Sequence, residues 1–333
     1  MSVPLDSLET DVEFEGLLEV EADGIVGRSP GQIARSRLRH DKVSMIAFSI
    51  VVFTFVLAIA APFLNALGIT DPYAFHNDLV GGLGSMPLGK AGGISLAHPF
   101  GVEPGTGRDV FSRVLTGVSL SLLIATMATL MSLVIGVILG VISGYMGRGT
   151  DYVVGRTMEL VLCFPQTLML LALSPVLKPR ITEMGVPSGT ATDVVYLIFV
   201  LGFFGWPYIA RIIRGQVLSM RNREFVEASR SLGASRRRIW TKELIPNLWA
   251  PIIVFVSLTL PLNISAEAAL SYLGVGIQPP TPSLGSILNN SVNYYDADPA
   301  FFYIPGAVLV IIVLSFNLFG DGLRDALDPK SSR

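Results

Sequence analysis

The sequence predicts an all-α integral membrane protein with six membrane-spanning helices. Its 333 residues are 51% hydrophobic and only 15% charged, whereas roughly a quarter of the residues in a soluble domain are charged. Mean hydropathy is +0.58, and the charged residues are concentrated between long apolar runs. Lipid therefore replaces water as the solvent for most side chains, as in other multi-pass membrane proteins.

Six apolar runs are long enough to cross a bilayer as helices. The second is the longest, and we expect it to tilt or to project beyond the bilayer. It carries Gly136, Gly140 and Gly144, a four-residue spacing that lets another helix approach closely in lipid. The predicted spans are residues 43–64, 114–145, 152–173, 194–213, 248–270 and 301–320.

The distribution of charge orients these spans. Residues 1–27 contain eight acids and no Lys or Arg, and a basic stretch precedes the first span. The positive-inside rule then makes the side with most Lys and Arg cytoplasmic. Only five of the 24 basic residues fall on the other side: Lys90, Arg108, Arg113, Lys178 and Arg180.

This topology places the protein in the plasma membrane with both termini in the cytoplasm. It divides the chain into three parts. We expect a cytoplasmic tail over residues 1–42, a transmembrane domain over 43–320 and a cytoplasmic tail over 321–333. The transmembrane domain contains an extracytoplasmic loop at 65–112 and a basic cytoplasmic loop at 214–247.

The basic loop predicts two helices joined by a glycine. Asn222 is a good N-cap for a first helix over residues 223–232. Gly233 suits the left-handed turn that ends many helices. Ser235 can cap a second helix over residues 236–245, which Pro246 is expected to end.

The first of these helices has a narrow apolar face formed by Phe225, Ala228 and Leu232, spaced three and four residues apart. Such a helix fits a groove on a partner protein. Basic amphipathic loops also lie on anionic lipid. The residues alone leave both alternatives open.

One motif in this loop resembles a known signature. The chain reads Glu227-Ala228-Ser229, then Gly233, then Ile245-Pro246. Permease subunits of bacterial ATP-binding-cassette importers carry Glu-Ala-Ala, three residues, Gly, nine residues, Ile, any residue, Leu-Pro. Three positions depart from that signature: Ser229 replaces alanine, Glu243 replaces isoleucine or histidine, and Ile245 replaces leucine.

Longer segments resemble one subgroup, the C-type permeases of dipeptide, oligopeptide and nickel importers. The similarity covers about residues 35–330. The segments that carry it are 108–113 (RDVFSR), 163–165 (CFP), 215–218 (GQVL), 271–283 (SYLGVGIQPPTPS) and 317–329 (NLFGDGLRDALDP).

The resemblance implies a type I importer permease fold. It also implies that the protein moves di- or oligopeptides across the membrane. It implies a second, B-type permease as heterodimer partner, two ATP-binding subunits that bind ATP and Mg²⁺, and an extracytoplasmic solute-binding protein, with no nucleic acid and no cofactor in this chain. The first loop helix would be the coupling helix. The residues of the loop that couple to the ATPase would be Glu224, Phe225, Glu227, Ala228, Ser229, Leu232, Gly233, Arg236, Arg237 and Arg238.

Alternative cargoes within the same family are nickel chelates, opines, glutathione and sugars. A different class of protein, an ion-gradient-driven carrier or channel, predicts paired intramembrane charges or inverted repeats, and the sequence has neither. The extracytoplasmic loop is either the landing surface for the binding protein or a spacer.

Several other residues invite a functional interpretation. The run 84–90 has the spacing of a phosphate loop, but alanine follows its lysine, so the hydroxyl that binds Mg²⁺ is missing. His40, His76 and His98 are far apart in sequence and are interpreted as loop surface residues rather than nickel ligands. Cys163 is interpreted as a small core residue.

Polar residues inside the spans are candidates for a translocation path, because ionisable groups in the membrane are costly. Arg156 is expected to pair with Glu159 one turn away. For the acids, packing or gating is favoured over direct substrate binding. The candidates are Glu159, Asn263, Ser265 and Glu267.

Overall fold

The structure is a computed structural model and describes residues 30–82 and 84–327. In that part of the chain, five helices are long and apolar enough to cross a membrane, and a bent pair of helices supplies up to one more crossing. The six-span prediction is therefore confirmed as five single spans and one broken span. The acidic segment at residues 1–27 lies outside the described residues.

The first span is preceded by a short helix. Helix α1 (Pro30–His40) leads to Asp41, whose Oδ1 accepts a hydrogen bond from Val43 N at 3.1 Å. This N-cap starts α2 (Lys42–Ala66), as a short acidic side chain before an apolar helix predicts. Large apolar side chains on α2 face outwards, which suits contact with lipid; they include Ile46, Phe53, Val56, Ile59 and Phe63.

The connection from α2 to the second span is compact. It contains a small antiparallel hairpin, β1 (Val80–Gly81) paired with β2 (Met86–Pro87). The phosphate-loop spacing noted above therefore falls on a hairpin rather than on a strand followed by a helix. This connection marks one end of the helical bundle, which we call the loop end.

Helix α3 (Val110–Met146) is the longest uninterrupted α-helix among the described residues and starts at Asp109, whose Oδ2 accepts from Ser112 N at 2.7 Å. Its 37 residues extend about 55 Å at 1.5 Å per residue. That length exceeds the roughly 30 Å hydrocarbon core, in agreement with the expected projection or tilt.

The third predicted span is not one continuous helix. Helix α4 (Arg148–Cys163) and helix α5 (Gln166–Glu183) meet at 87°. Phe164 is extended, with φ −83° and ψ 133°, because a residue before proline is disfavoured in the α region. Cys163 is exposed at this corner, so its interpretation as a core residue is wrong: the bend carries α5 away from it.

Helix α6 (Thr190–Met220) packs along α3 through the predicted glycine stripe. A Cβ added to Gly136 would lie 2.0 Å from Ile209 Cγ2, and one added to Gly140 would lie 2.8 Å from the carbonyl oxygen of Ala210. Real Cβ atoms do not approach that closely, so the two backbones touch only because these residues are glycines.

After α6 the chain forms α7 (Glu224–Ser231) and then α8, which runs from Arg236 to Tyr272. The prediction that Pro246 ends a helix is wrong. Because proline lacks an N–H and crowds the preceding turn, the winding changes instead: residues Ile239–Leu244 are π-helical and Ile245–Leu248 are 3₁₀-helical before α-helix resumes at Trp249.

The chain ends with α9 (Leu284–Ser291) and α10 (Pro299–Leu327). Helix α10 continues past the predicted span end at 320 into the segment interpreted as a tail. A Cβ added to Gly320 would lie 3.1 Å from the carbonyl oxygen of Ser257 on α8. A core cluster of α2, α3, α8, α9 and α10 residues includes Val114, Leu122, Ile264, Leu284, Phe301 and Phe316.

Candidate functional site

The segment from Arg223 to Leu248 lies at the end of the bundle opposite the loop end, which we call the basic end. Helix α7 is anchored there by Val226, which is fully buried in a cluster with Val217, Met220, Ile239 and Leu244. Sequence reasoning missed this anchor, because the apolar face was assigned to Phe225, Ala228 and Leu232. A β-branched residue beside Phe225 is the signal that could have found it.

The turn after α7 agrees with the prediction for Gly233, which has φ +80°. Gly233 N donates to the carbonyl of Arg230 at 3.0 Å and Ala234 N donates to that of Ser229 at 3.0 Å. These two bonds form a Schellman motif, which satisfies carbonyls at the helix end. Ser235 caps the next helix by accepting from Arg238 N at 3.4 Å, as expected.

The first cap differs from the prediction by one residue. Arg223, not Asn222, occupies the N-cap position of α7, and its side chain makes no capping hydrogen bond. Arg223 N donates to the carbonyl of Met220 at 3.0 Å. The tight turn at the end of α6 therefore sets where α7 begins, rather than an asparagine side chain.

The outer surface of α7 and of the following turn is exposed. Phe225 and Ser229 are half-buried, whereas Leu232 is 88% exposed. An exposed leucine beside charged side chains, anchored from below by one buried valine, is the form of a helix presented to a partner. The other exposed candidate residues are Glu224, Glu227, Ala228, Gly233, Arg236, Arg237 and Arg238.

A cavity of about 580 Å³ lies beside this surface, between the end of α3, the start of α4 and the segment after α7. Arg148, Arg230 and Arg236 line it, and its lining contains no acidic residue. The Arg230 guanidinium lies 5.8 Å from the centre of the Tyr145 ring, within range of a cation–π interaction. The cavity therefore presents positive charge at the basic end.

An ion pair holds α6 to α4 at the same end. Arg214 Nη2 donates to Asp151 Oδ2 at 2.7 Å, and Ser143 Oγ on α3 donates to the same carboxylate at 2.5 Å. Arg221 Nη1 also donates to the carbonyl of Gly144 at 3.3 Å. Bidentate Arg–carboxylate geometry fixes orientation as well as distance. This clamp joins α3, α4 and α6 below α7.

A second cavity, of about 450 Å³, opens between α5, α6 and α8. Its polar lining residues are all neutral, and sequence reasoning had proposed only Asn263 among them. Gln166 and Thr167 follow Pro165, so the bend at the α4–α5 corner brings them to the cavity. The hydrogen-bonding residues that line it are Gln166, Thr167, Tyr208, Thr259 and Asn263.

The other path candidates lie elsewhere. Glu267 is fully buried and accepts hydrogen bonds from Ser121 Oγ and, at 2.7 Å, from Ser271 Oγ. Ser265 donates to the carbonyl of Pro261 on its own helix. Arg156 and Glu159 form the expected pair at 3.0 Å on the exposed face of α4. Glu267 therefore joins α3 to α8 rather than lining a cavity.

Buried charges organise the loop end. Glu103 lies 3.0 Å from Arg108 Nε and 3.5 Å from Arg113 Nε, and Asn290 on α9 donates to Glu103 Oε1 at 2.5 Å. Pairing compensates for the cost of removing these charges from water. The Arg-Asp-Val segment before α3 is thereby fixed to α9, a contact between residues far apart in sequence.

The histidine interpretation needs correction. The His76 and His98 rings lie with centres 5.1 Å apart, and His98 Nδ1 lies 3.0 Å from Asp109 Oδ1. Both histidines are half-buried rather than surface residues, because the compact loop folds back on the start of α3. Within residues 30–82 and 84–327, no group of three or more His, Cys, Asp or Glu residues is arranged to hold a metal ion.

Asp298 is a buried acid at the start of α10. Its Oδ2 makes no hydrogen bond in the described structure and lines a cavity of about 400 Å³ beside Gly92. Burial raises the pKa of this carboxyl, against the lowering effect of hydrogen bonds from the backbone N–H groups of Phe301 and Ala300.

This raised pKa predicts a pH-dependent stability. A folded-state pKa above the unfolded value near 3.8 means that the folded chain binds the proton more tightly, so stability increases as pH falls through the raised pKa. We expect Asp298→Asn to raise the apparent melting temperature in detergent at pH 8 and to flatten its pH dependence. Asp296→Asn, on an exposed neighbour, is the control. A variant that melts below the parent at pH 8 would contradict this account.

Two family profiles match the chain. The family described as binding-protein-dependent transport system inner membrane component matches residues 136–333. The one described as N-terminal TM domain of oligopeptide transport permease C matches residues 29–79. The matches include α2, the basic end and the cavity between α5, α6 and α8.

Curated relatives match over most of their length. The oligopeptide transport system permease protein OppC of Bacillus subtilis is 35% identical over 297 residues, 89% of this chain and 88% of that protein. The dipeptide transport system permease protein DppC of Alkalihalophilus pseudofirmus is 33% identical over 91% of this chain and 90% of its own. The glutathione transport system permease protein GsiD of Escherichia coli O6:K15:H31 is 33% identical over 91% of each chain.

A solved structure shares the fold. A chain of the inward-facing MetNI methionine ABC transporter superposes with a TM-score of 0.52 and 21% sequence identity, covering 65% of this chain and 96% of that one. At this identity the similarity concerns the fold alone.

Proposed function

The chain belongs to the binding-protein-dependent transport system inner membrane component family and is a permease component of an ABC importer; on that premise we propose that it forms half of the translocation path of a peptide importer and is driven by separate ATPase subunits. The observation that carries this proposal is the way in which α7 is presented at the surface. The helix is exposed on its outer side, is anchored by Val226 and ends at Gly233 in the left-handed conformation.

The proposed role of α7 is that of a coupling helix docked on an ATPase. Leu232 would enter an apolar groove, and Arg236, Arg237 and Arg238 would meet acidic side chains around it. The cavity lined by Arg148, Arg230 and Arg236 extends the same positive surface. ATP and Mg²⁺ would be bound by the partner, and closure of two such partners would move α7 as a lever.

The proposed path is the cavity between α5, α6 and α8, completed by a second, B-type permease. Its lining offers hydrogen bonds without fixed charge, which suits peptides whose side chains differ in charge. The names of the relatives also favour peptides, since they include oligopeptide, dipeptide and glutathione permeases. Nickel chelates and opines remain alternative cargoes.

The proposed arrangement in the plasma membrane puts the basic end and both termini in the cytoplasm. The domain division at residues 42 and 320 is kept as part of this proposal, with residues 214–247 as the coupling loop. The loop end, held by Glu103 and Asn290, would then face an extracytoplasmic solute-binding protein, and anionic lipid would surround the basic residues near the membrane.

Co-purification tests the assembly. The tagged chain is solubilised in a mild detergent from its native membrane, and the co-purifying proteins are identified by mass spectrometry. A second six-span permease and one or two ATPases are expected, with ATP hydrolysis stimulated by peptide and binding protein. A stable homo-oligomer without ATPase in several mild detergents would overturn the proposal and favour an ion-gradient-driven carrier or channel.

A conservative substitution tests the path. Tyr208→Phe removes one hydroxyl from the cavity, and loss of a hydrogen bond worth about 0.5–1.5 kcal/mol predicts roughly two- to tenfold slower peptide uptake. Tyr152→Phe is the matched control, because Tyr152 lies exposed on α4 and does not line the cavity. Uptake by proteoliposomes containing the whole importer is measured. Equal rates for both variants and the parent would remove Tyr208 from the path.

A further inference from the structure

Two of the departures from the signature motif contact each other. Ser229 lies on α7 and Glu243 lies in the π-helical segment of α8, and Ser229 Oγ donates to Glu243 Oε1 at 2.9 Å. In the pattern that the chain resembles, these positions carry alanine and isoleucine or histidine. A serine and a glutamate placed 14 residues apart thus replace an Ala–Ile or Ala–His combination with a hydrogen-bonded pair.

This hydrogen bond spans the glycine turn. In the described residues it is the only side-chain hydrogen bond between α7 and α8. Glycine has the greatest backbone freedom of all residues, and a Cβ added to Gly233 would meet no heavy atom within 4 Å. The turn residue itself therefore makes no side-chain contact, and the Ser229–Glu243 bond joins α7 to α8 in addition to the packing of Val226 against Ile239 and Leu244.

The far end of the bond is placed by unusual backbone. Glu243 belongs to the π-helical residues Ile239–Leu244, and single π-turns of this kind occur often at functional sites. Asn247 Nδ2 donates to the carbonyl of Glu243 at 2.6 Å, which satisfies an acceptor in the irregular turns around Pro246. Glu243 is held from its backbone as well as from its carboxylate.

We propose that Ser229 and Glu243 are paired positioning residues that hold α7 at a fixed angle to α8, so that a push on α7 moves α8 instead of bending the turn at Gly233. The inference rests on the proposed coupling role of α7. It assigns to Ser229 a bond within its own chain rather than a contact with the ATPase. It also accounts for Glu243, whose contacts the motif alone left unassigned.

The test is a double-mutant cycle on the whole importer in proteoliposomes. Ser229→Ala and Glu243→Ile are made singly and together, with Glu243→Gln as the conservative variant and Ser231→Ala as the control on an exposed serine of the same helix. Two quantities are measured for each: cargo transported per ATP hydrolysed, and the amount of ATPase that co-purifies.

Each single variant is expected to lower cargo transported per ATP about fivefold, since residues that share one bond couple by about 1 kcal/mol. The double variant should be no worse than either single variant, because the one bond that the two residues share is already lost in each of them. Glu243→Gln keeps an acceptor and should stay near the parent, as should Ser231→Ala.

Co-purification separates the outcomes. Equal coupling in all variants, or a double variant as poor as the product of the two singles, would overturn the pairing. Loss of bound ATPase in Ser229→Ala, with Glu243→Ile retaining it, would assign Ser229 to the docking surface instead. If the parent chain itself brings down no ATPase, the proposed function fails, and the inference that rests on it is overturned with it.

Discussion

Gly136→Leu is expected to prevent α3 and α6 from packing. A Cβ at this position would lie 2.0 Å from Ile209 Cγ2 and 2.8 Å from the carbonyl oxygen of Trp206. The second atom is backbone and cannot be moved by rotating a side chain. Overpacking a close contact costs about 1–3 kcal/mol, and leucine adds three further carbon atoms to the clash. Fluorescence-detected size-exclusion chromatography should show about tenfold less monodisperse protein.

A control on the same chain separates this clash from a general effect of leucine. Gly155 lies on α4, and a Cβ added there would meet no heavy atom within 4 Å. Gly155→Leu is therefore expected to express and elute like the parent. If Gly136→Leu behaves like Gly155→Leu, the close approach of α3 and α6 is not required for folding.

The spans and the turn at Gly233 could be predicted because their signals are local. An apolar run determines a span through the cost of leaving lipid, and a glycine after a helix marks a left-handed turn through the conformational freedom of one residue. The close helix contact at the glycines could be predicted equally well, since their spacing places Gly136 and Gly140 on one helix face. These features depend on at most a few turns of chain.

The clamp and the cavities could not be predicted in the same way. Asp151 and Arg214 are 63 residues apart, and they meet because α4 begins at the end of α3, along which α6 packs. Hydropathy also does not indicate where a helix bends, so the apolar run at 152–173 predicts one straight span. Pro165 was the local sign of the 87° bend, and that bend is what delivers Gln166 to the cavity.

Errors at the loop end have the same physical origin. The interpretation of His76 and His98 as separate surface residues used their separation in sequence, whereas folding of the loop brings their rings to 5.1 Å. Glu103 likewise pairs with Arg108 nearby but also with Asn290 on α9. Buried polar groups require partners, and the sequence alone does not say which distant residue will supply one.

The second large expected effect is on coupling, through Gly233. Left-handed backbone at φ +80° costs a residue with a Cβ about 1–2 kcal/mol, and a β-branched residue is a true outlier there. Gly233→Val should therefore lower cargo transported per ATP about tenfold, while Gly233→Asn, which enters this region more readily, should retain most of it. Both are measured in proteoliposomes containing the whole importer.

The pair of variants also identifies the cause of any loss. No heavy atom lies within 4 Å of a Cβ built on Gly233, so within this chain the penalty is conformational and must follow backbone preference, with valine far worse than asparagine. Valine and asparagine are similar in size, so a steric clash with a docked ATPase would impair both about equally and would reduce the ATPase that co-purifies. Parental coupling in Gly233→Val would show that the left-handed turn does not transmit force, and α7 would then have to act through Val226 and the helices beneath it.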